Sequence, residues 1–566
     1  MTIKPPSSRK ALALAAAGLL AAGLAACSSS NSAPSSASAS AGATLVMESS
    51  PENGITRDFN PFVSTAAPQG MGATGLIYEP LLQFNLATPS QQPYHWLATD
   101  YVWGPNGKSI TFTIRSGVKW SNGAPMTPGD VVFTYNYIKQ HSAINLAGLN
   151  ISSVTSSGDN VTVTFPTPQY TNLENIAGVA ILPQSVWGSI SDPSSYTDAD
   201  PVGTGPYTLG SFTQQGFTLV KNPDYWQESK IQVPKVYFPV YASNTGVLSA
   251  LFAGQIDWTG NYIPSLERDF VDTDPADHHF WEAAGSSNAL WPNLNRWPTN
   301  QYPVREAIDL AINRDQIGAD GESGLESPLT NASGITLPTF SAWSGPVAND
   351  TVSATGDVAQ AKSVLTHAGY TMGSNGFYQM DGKTLALNLV DPSSYTDYAQ
   401  DDALIAQQLR AAGIDATFVG ESVTKWSKDV ADGNFDLTLH WGSDGVTPYN
   451  LYDNWLDDSL VTSTGATGDF ERLSDPTIES ELRTLSAAPN LPAQTAALAP
   501  IAKYVANNLP VIPTTTAADW FEYNSQNYVG WPTQTKPYDS GEPSGTDNGP
   551  GTGSDEVVLL HLTPAS

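Results

Sequence analysis

A chain of 566 residues with one cysteine, Cys27, cannot form an intrachain disulfide, so its fold must hold without one. Basic residues are scarce as well: 24 Lys and Arg stand against 54 Asp and Glu, a formal charge of −30 at pH 7. That balance repels nucleic acid and anionic lipid and argues against a role built on phosphate contacts. It does not name a ligand, and a solubilising surface outside the membrane is enough to account for it. None of the histidines stands in a His-Glu-x-x-His arrangement, and the adjacent His278 and His279 would point apart, so no metal site is indicated. There is no Gly-x-Ser-x-Gly elbow, and the run Gly104 to Ser109 lacks the glycine spacing of a phosphate loop. No cofactor is implied. Neighbouring carboxylates such as Asp401-Asp402 and Asp457-Asp458 need not face one substrate bond, yet they keep a secreted carbohydrate-active hydrolase as the competing class.

The run Ala11 to Ala26 is short and alanine-rich for a membrane span but suits a secretion signal behind Lys4, Arg9 and Lys10. Leu24-Ala25-Ala26-Cys27 then resembles a bacterial lipobox. The resemblance implies cleavage after Ala26 and a lipid on Cys27, with residues 1–26 a signal peptide. Residues 27–43, almost entirely Ser and Ala, would be a flexible tether holding the folded body at the outer face of the cytoplasmic membrane.

Beyond the tether the length exceeds what one core usually supports, so two or more lobes are expected. The organising stretch is Ile110 to Ile138. Ile110, Phe112 and Ile114 alternate with polar residues as in a half-buried strand, Asn122-Gly123 makes a turn, and Thr127, Pro128 and Asp130 form a helix start with a capping box. Pro105-Asn106-Gly107 and Ser157 to Asn160 each turn a hairpin, as does Gly382. In Pro201 to Tyr207, Gly203 or Gly205 is expected to take φ values closed to other residues. Asn244 or Thr245 is expected to cap a helix through Phe252 that Gly254 stops, and Asp357 to cap another. Val557 to Leu562 reads as a short apolar strand.

The run from Thr111 to Tyr135 closely resembles the signature of the family 5 solute-binding proteins, the peptide, nickel and opine type of ABC importers. Other landmarks follow in that family's order: Asp58 to Phe62, Tyr78 to Leu82, Pro201 to Tyr207, Asn222 to Trp226 and Val304 to Ile317. The resemblance implies an α/β, two-lobed periplasmic-binding-protein fold, a hinged clamp with an extra subdomain in lobe I. The implied divisions are lobe I at 44–284 with the extra subdomain at 86–199, lobe II at 285–510, and a C-terminal return to lobe I at 511–566. It also implies a monomer that captures a small solute, works with a separate ABC permease and its ATPase, and performs no catalysis.

In peptide-binding relatives a Trp-x-x-Asp-x-x-x-Pro segment places its Asp at the peptide ammonium group, and Trp441, Asp444 and Pro448 match that spacing. An oligopeptide held by a charge-assisted hydrogen bond is therefore the first expectation. Two departures point elsewhere. Gly445 replaces a frequent Tyr, and Thr438 replaces an Arg that some relatives use for the peptide carboxylate. The stretches Gly445 to Tyr449 and Gly530 to Tyr538 resemble instead the branch that binds β-linked oligosaccharides, which suits a chain with 15 Trp and 23 Tyr, since flat rings stack on pyranose faces. By the family plan Asn60, Trp291, Asn293 and Tyr449 would also edge the cleft.

Overall fold

Ile110, Phe112 and Ile114 are buried along the strand Ser109–Ile114, each contributing about 1.5–3 kcal/mol of apolar burial, while the intervening threonines face outward. The computed structural model describes residues 42–49, 54–443, 445–543 and 553–566; the leader, Cys27, nearly all of the tether and Asp444 lie outside the described residues. Ser109–Ile114 pairs antiparallel with Ala98–Trp103 and Asn160–Thr164, and Ser153–Ser157 completes a four-stranded sheet. Asn106 (φ 61) and Gly107 (φ +66) turn the first hairpin, and Gly158 (φ 58) the second. The helix Pro128–Gln140 starts on the expected box: the Thr127 amide donates to Asp130 Oδ2 at 2.9 Å. This sheet and helix lie within residues 86–199, the segment expected to form the extra subdomain.

The rest of the first lobe is a mixed sheet in which Leu45–Val46 lies parallel to Lys235–Pro239, followed by Gly216–Lys221 and Tyr207–Thr213. Gly203 and Gly205 are needed for space rather than for φ. A Cβ on Gly203 would sit 1.7 Å from the Ile77 carbonyl oxygen, and one on Gly205 2.4 Å from that of Leu76. The helix Asn244–Phe252 is capped one residue earlier than expected, by Ser243, whose hydroxyl accepts the Gly246 amide. The apolar run near the C-terminus is the helix Ser554–Leu559, not a strand. Short buried runs carry no periodicity that separates the two, and here Val557, Val558 and Leu559 are all buried.

The second lobe is built on five strands in the order Asp415–Glu421, Ala386–Pro392, Leu437–Trp441, Ala283–Pro292, Ile512–Asp519. The first three run parallel and the last two antiparallel to their neighbours. Both faces are covered. Leu290 packs with the helices Tyr302–Ala311 and Thr396–Ala411, whereas Ala289 and Trp291 pack with Tyr449–Leu456, Pro476–Ser486 and Leu491–Asn508. The strand period of two thus feeds two helical layers.

The chain passes between lobes twice, and the passages lie side by side. His278–Phe280 pairs with Glu522–Asn524 in a first-lobe sheet, and the continuing strands Ala283–Pro292 and Ile512–Asp519 pair in the second. Phe280 stands opposite Glu522, Ala283 opposite Asp519, and between them the Trp281 amide donates to the Phe521 carbonyl at 3.0 Å. Pairing therefore keeps 512–519 in the second lobe, so the return comes later than the expected residue 511. Continuous hydrogen bonding to Ala283 decides the point.

Candidate ligand site between the lobes

The central strand Leu437–Trp441 ends at a half-buried Trp441 whose ring lies 6.0 Å from that of Tyr398 and 6.3 Å from that of Tyr395. Both tyrosines come from the start of the neighbouring helix Thr396–Ala411 and its cap. Behind Trp441, His440 is sandwiched between Trp291 (4.6 Å) and Trp426 (5.1 Å), and burial lowers its pKa to about 4. It is neutral, and its Nδ1–H donates to the Trp441 carbonyl at 2.8 Å. Thr438 is wholly enclosed: its hydroxyl donates to the Val390 carbonyl at 2.8 Å and accepts from Trp426 Nε1 at 3.0 Å. No cation occupies that position.

Tyr398 starts a polar chain towards the lobe junction. Its hydroxyl donates to Asn288 Oδ1 (2.8 Å), and Asn288 Nδ2 donates to Glu326 Oε2 (2.7 Å). Glu326 also accepts from the Thr515 hydroxyl and the Ala518 amide. Further carboxyl groups gather around the crossing strands. Glu48 accepts from Thr259 and Asn261, Glu522 accepts the Asn261 amide, and Glu282 lies beside Glu522. Among the described residues none of Glu48, Glu282, Glu322, Glu326, Asp401 or Glu522 forms an ion pair with Lys or Arg. Burial is the largest cause in every case and pushes these acids up: Glu48 to about 7, Glu322 to about 11 with the Asp401 charge adding to it, and Glu282, Glu326 and Glu522 well above the usual carboxylate range.

The predicted site residues divide sharply. Trp441 stands at the strand end, with Tyr449 following on the helix Tyr449–Leu456; burial and the adjacent Asp453 push the Tyr449 phenol far up. Asp444, between them in sequence, lies outside the described residues. Asn60, Trp291 and Asn293 are interior. Asn60 donates to the Pro193 and Tyr196 carbonyls at 2.7 Å each and accepts the Phe62 amide, tying down its own loop. Trp291 is 1% exposed in the second-lobe core, and Asn293 bonds the Gly433 carbonyl and the Asn295 amide. An asparagine two residues before its bonded amide is a local turn device, and that spacing could have been read from Asn60 and Asn293 alone. Tyr395, Tyr398, Asn288 and Glu326 were missed; nothing in their local sequence marks them, since they meet only through sheet order. Among the described residues, Asp457, Asp458 and Glu479 bring carboxylate oxygens within 4.8 Å of one another on the outside of the second lobe. The Asp458 amide already donates to Glu479.

Residues 92–462 match the model of the bacterial extracellular solute-binding proteins, family 5, middle region. The chain belongs to this family. Its relatives include the nickel-binding periplasmic protein of Escherichia coli, 27% identical over 403 residues, covering 68% of this chain and 73% of the relative. The oligopeptide-binding protein OppA of Bacillus subtilis is 26% identical over 44% of this chain and 50% of its own. In structure, the periplasmic oligopeptide-binding protein of Thermotoga maritima superposes over 92% of this chain and 99% of its own at 22% identity and a TM-score of 0.84. The same protein bound to mannohexaose gives 0.80 over 92% of this chain and 98% of its own. As a family 5 member the chain is an extracytoplasmic solute-binding protein with the two-lobed α/β fold, not an enzyme. The competing hydrolase reading is thereby set aside.

Proposed function

We propose that this family 5 protein captures an oligopeptide between its lobes, closes over it, and delivers it to an ABC permease from a lipid anchor on Cys27. The observation that supports the ligand class is the cluster of buried carboxyl groups drawn from both lobes, held largely neutral by burial and, among the described residues, in no ion pair with Lys or Arg, so that a cation brought beside them would draw them into the ionised form. Such a cleft favours a ligand bearing an ammonium group. Asp444 would hold that group beside the Trp441 ring, and Tyr449 would border the same end. Asn60, Trp291 and Asn293 are left out of the proposed set because their side chains are enclosed. A second reading, a β-linked oligosaccharide, is favoured by the enclosed Thr438, which leaves no cation for a peptide carboxylate, and by the rings of Tyr395 and Tyr398 beside Trp441.

Titration with hexapeptides, mannohexaose and cellohexaose, followed by tryptophan emission, separates the two. Peptide binding that disappears in Asp444→Ala is the expected outcome. Sugar binding without peptide binding would transfer the site to the second reading. Lipid attachment is tested by mass spectrometry of the membrane fraction, where Cys27→Ser should release the protein.

A further inference from the structure

Glu174 belongs to the first lobe, on the short helix Leu173–Ala177 whose end is bonded to the Leu81 amide. The residue is 5% exposed, and its carboxyl group reaches the second lobe. Oε2 accepts the Val446 amide at 2.6 Å, and Oε1 accepts from Asn450 Nδ2. The Val446 side chain packs on the first-lobe core, although its chain follows the second-lobe strand that ends in Trp441. A second strut stands close by in sequence: the Ser486 hydroxyl donates to the Pro168 carbonyl at 3.2 Å. The contact also explains Gly445, whose φ is not one that demands glycine. A Cβ there would lie 2.4 Å from Asn450 Cγ and 2.7 Å from Glu174 Oε1. The first lobe's acid fills the space that a side chain at 445 would take.

We propose that Glu174 is a positioning residue, a latch that seats the 445–450 loop against the first lobe when the clamp is shut and so slows ligand release. The inference rests on the reading that the lobes close around a ligand. Opening the lobes must break both acceptor contacts and uncover Val446, so the latch lengthens the closed state without touching the ligand. Its effect falls on dissociation, because the contact forms only after the lobes have approached.

The test compares wild type, Glu174→Gln, Glu174→Ala and Asn450→Ala by small-angle scattering, alone and with mannohexaose, cellohexaose or a mixed hexapeptide pool. Whichever probe binds is then followed by stopped flow. In Glu174→Ala the dissociation rate should rise about tenfold, with the association rate changed less than about twofold. The mean radius of gyration should shift towards the open value, while the thermal midpoint stays close to wild type. Asn450→Ala should give part of the effect, and Glu174→Gln, which keeps one acceptor oxygen, should fall between. Unchanged dissociation in both Glu174 variants, or a rise matched by a fall in association, overturns the latch. A wild-type protein whose dimensions never change with any bound probe overturns the closing clamp itself, a distinct result.

Discussion

The two places where the lobes meet near the candidate site are built in opposite ways. At the crossing strands the connection is covalent, hydrogen bonded across Trp281 and Phe521, and loaded with buried acids whose burial favours the neutral form. At Glu174 the connection is wholly non-covalent, one carboxyl group meeting an amide and an asparagine of the other lobe. The first holds the lobes together under all conditions and ties stability to pH. The second, as the proposed latch, would be released and remade each time the lobes open and close. A residue's energetic weight therefore says little about its weight in function: the junction carries much stability, and the latch would carry little stability and much of the residence time.

The largest effect that sharpens this contrast is expected at the junction. Glu326→Ala strips acceptors from Asn288, Thr515 and the Ala518 amide at once, and should cost on the order of 3 kcal/mol. Its thermal midpoint checks this; a midpoint within a degree of wild type would remove the junction's claim to stability.

Next comes pH. Burial raises the folded pKa values of Glu48, Glu79 and Asp402 to about 7, above the ordinary values of 4.5, 4.5 and 3.8. The neutral form is the one the fold prefers, so their contribution is full below the unfolded pKa and is lost as pH climbs through about 7. The midpoint should fall between pH 5 and pH 8, with up to on the order of 2–3 kcal/mol at stake per group. Glu48→Gln keeps an acceptor for Thr259 and Asn261 and should make that fall shallower. A midpoint that rises with pH would contradict the assignment.

The smallest effect is expected at the rim. Ser486→Ala removes one partly buried hydrogen bond to Pro168 and should change stability by less than about 1 kcal/mol. Its influence should show mainly in combination with Asn450→Ala, as a non-additive change in the release rate. Strict additivity would make the two struts independent.

Much of the local structure was legible because it depends on spacing within a few residues. The Thr127 and Asp130 box, the Asn106-Gly107 turn and the Asp357 cap follow from φ preferences and side-chain reach. The misses share a cause. Ser243 rather than Asn244 as cap is a one-residue shift among similar residues, and 557–562 is an apolar run without a period. Gly203 and Gly205 answer to the carbonyls of Ile77 and Leu76, more than a hundred residues earlier. Of the candidate site residues, Trp441 was singled out by motif spacing and Tyr449 by the family plan, whereas Asn60, Trp291 and Asn293, named by the same plan, are interior because depth is set by what packs above a residue.

The sequence by itself determined the local elements, the two-lobed family plan and the segment that ends in Trp441, since these rest on short-range periodicity and on a motif spacing. Only the tertiary structure decided that Tyr395 and Tyr398 stand beside Trp441, that the crossing strands share a nest of buried acids, and that Glu174 crosses to Val446 and Asn450. Each joins residues that no local propensity couples. They meet because the sheet order and the paired crossings bring distant segments to one edge, and water is excluded only once both lobes are in place.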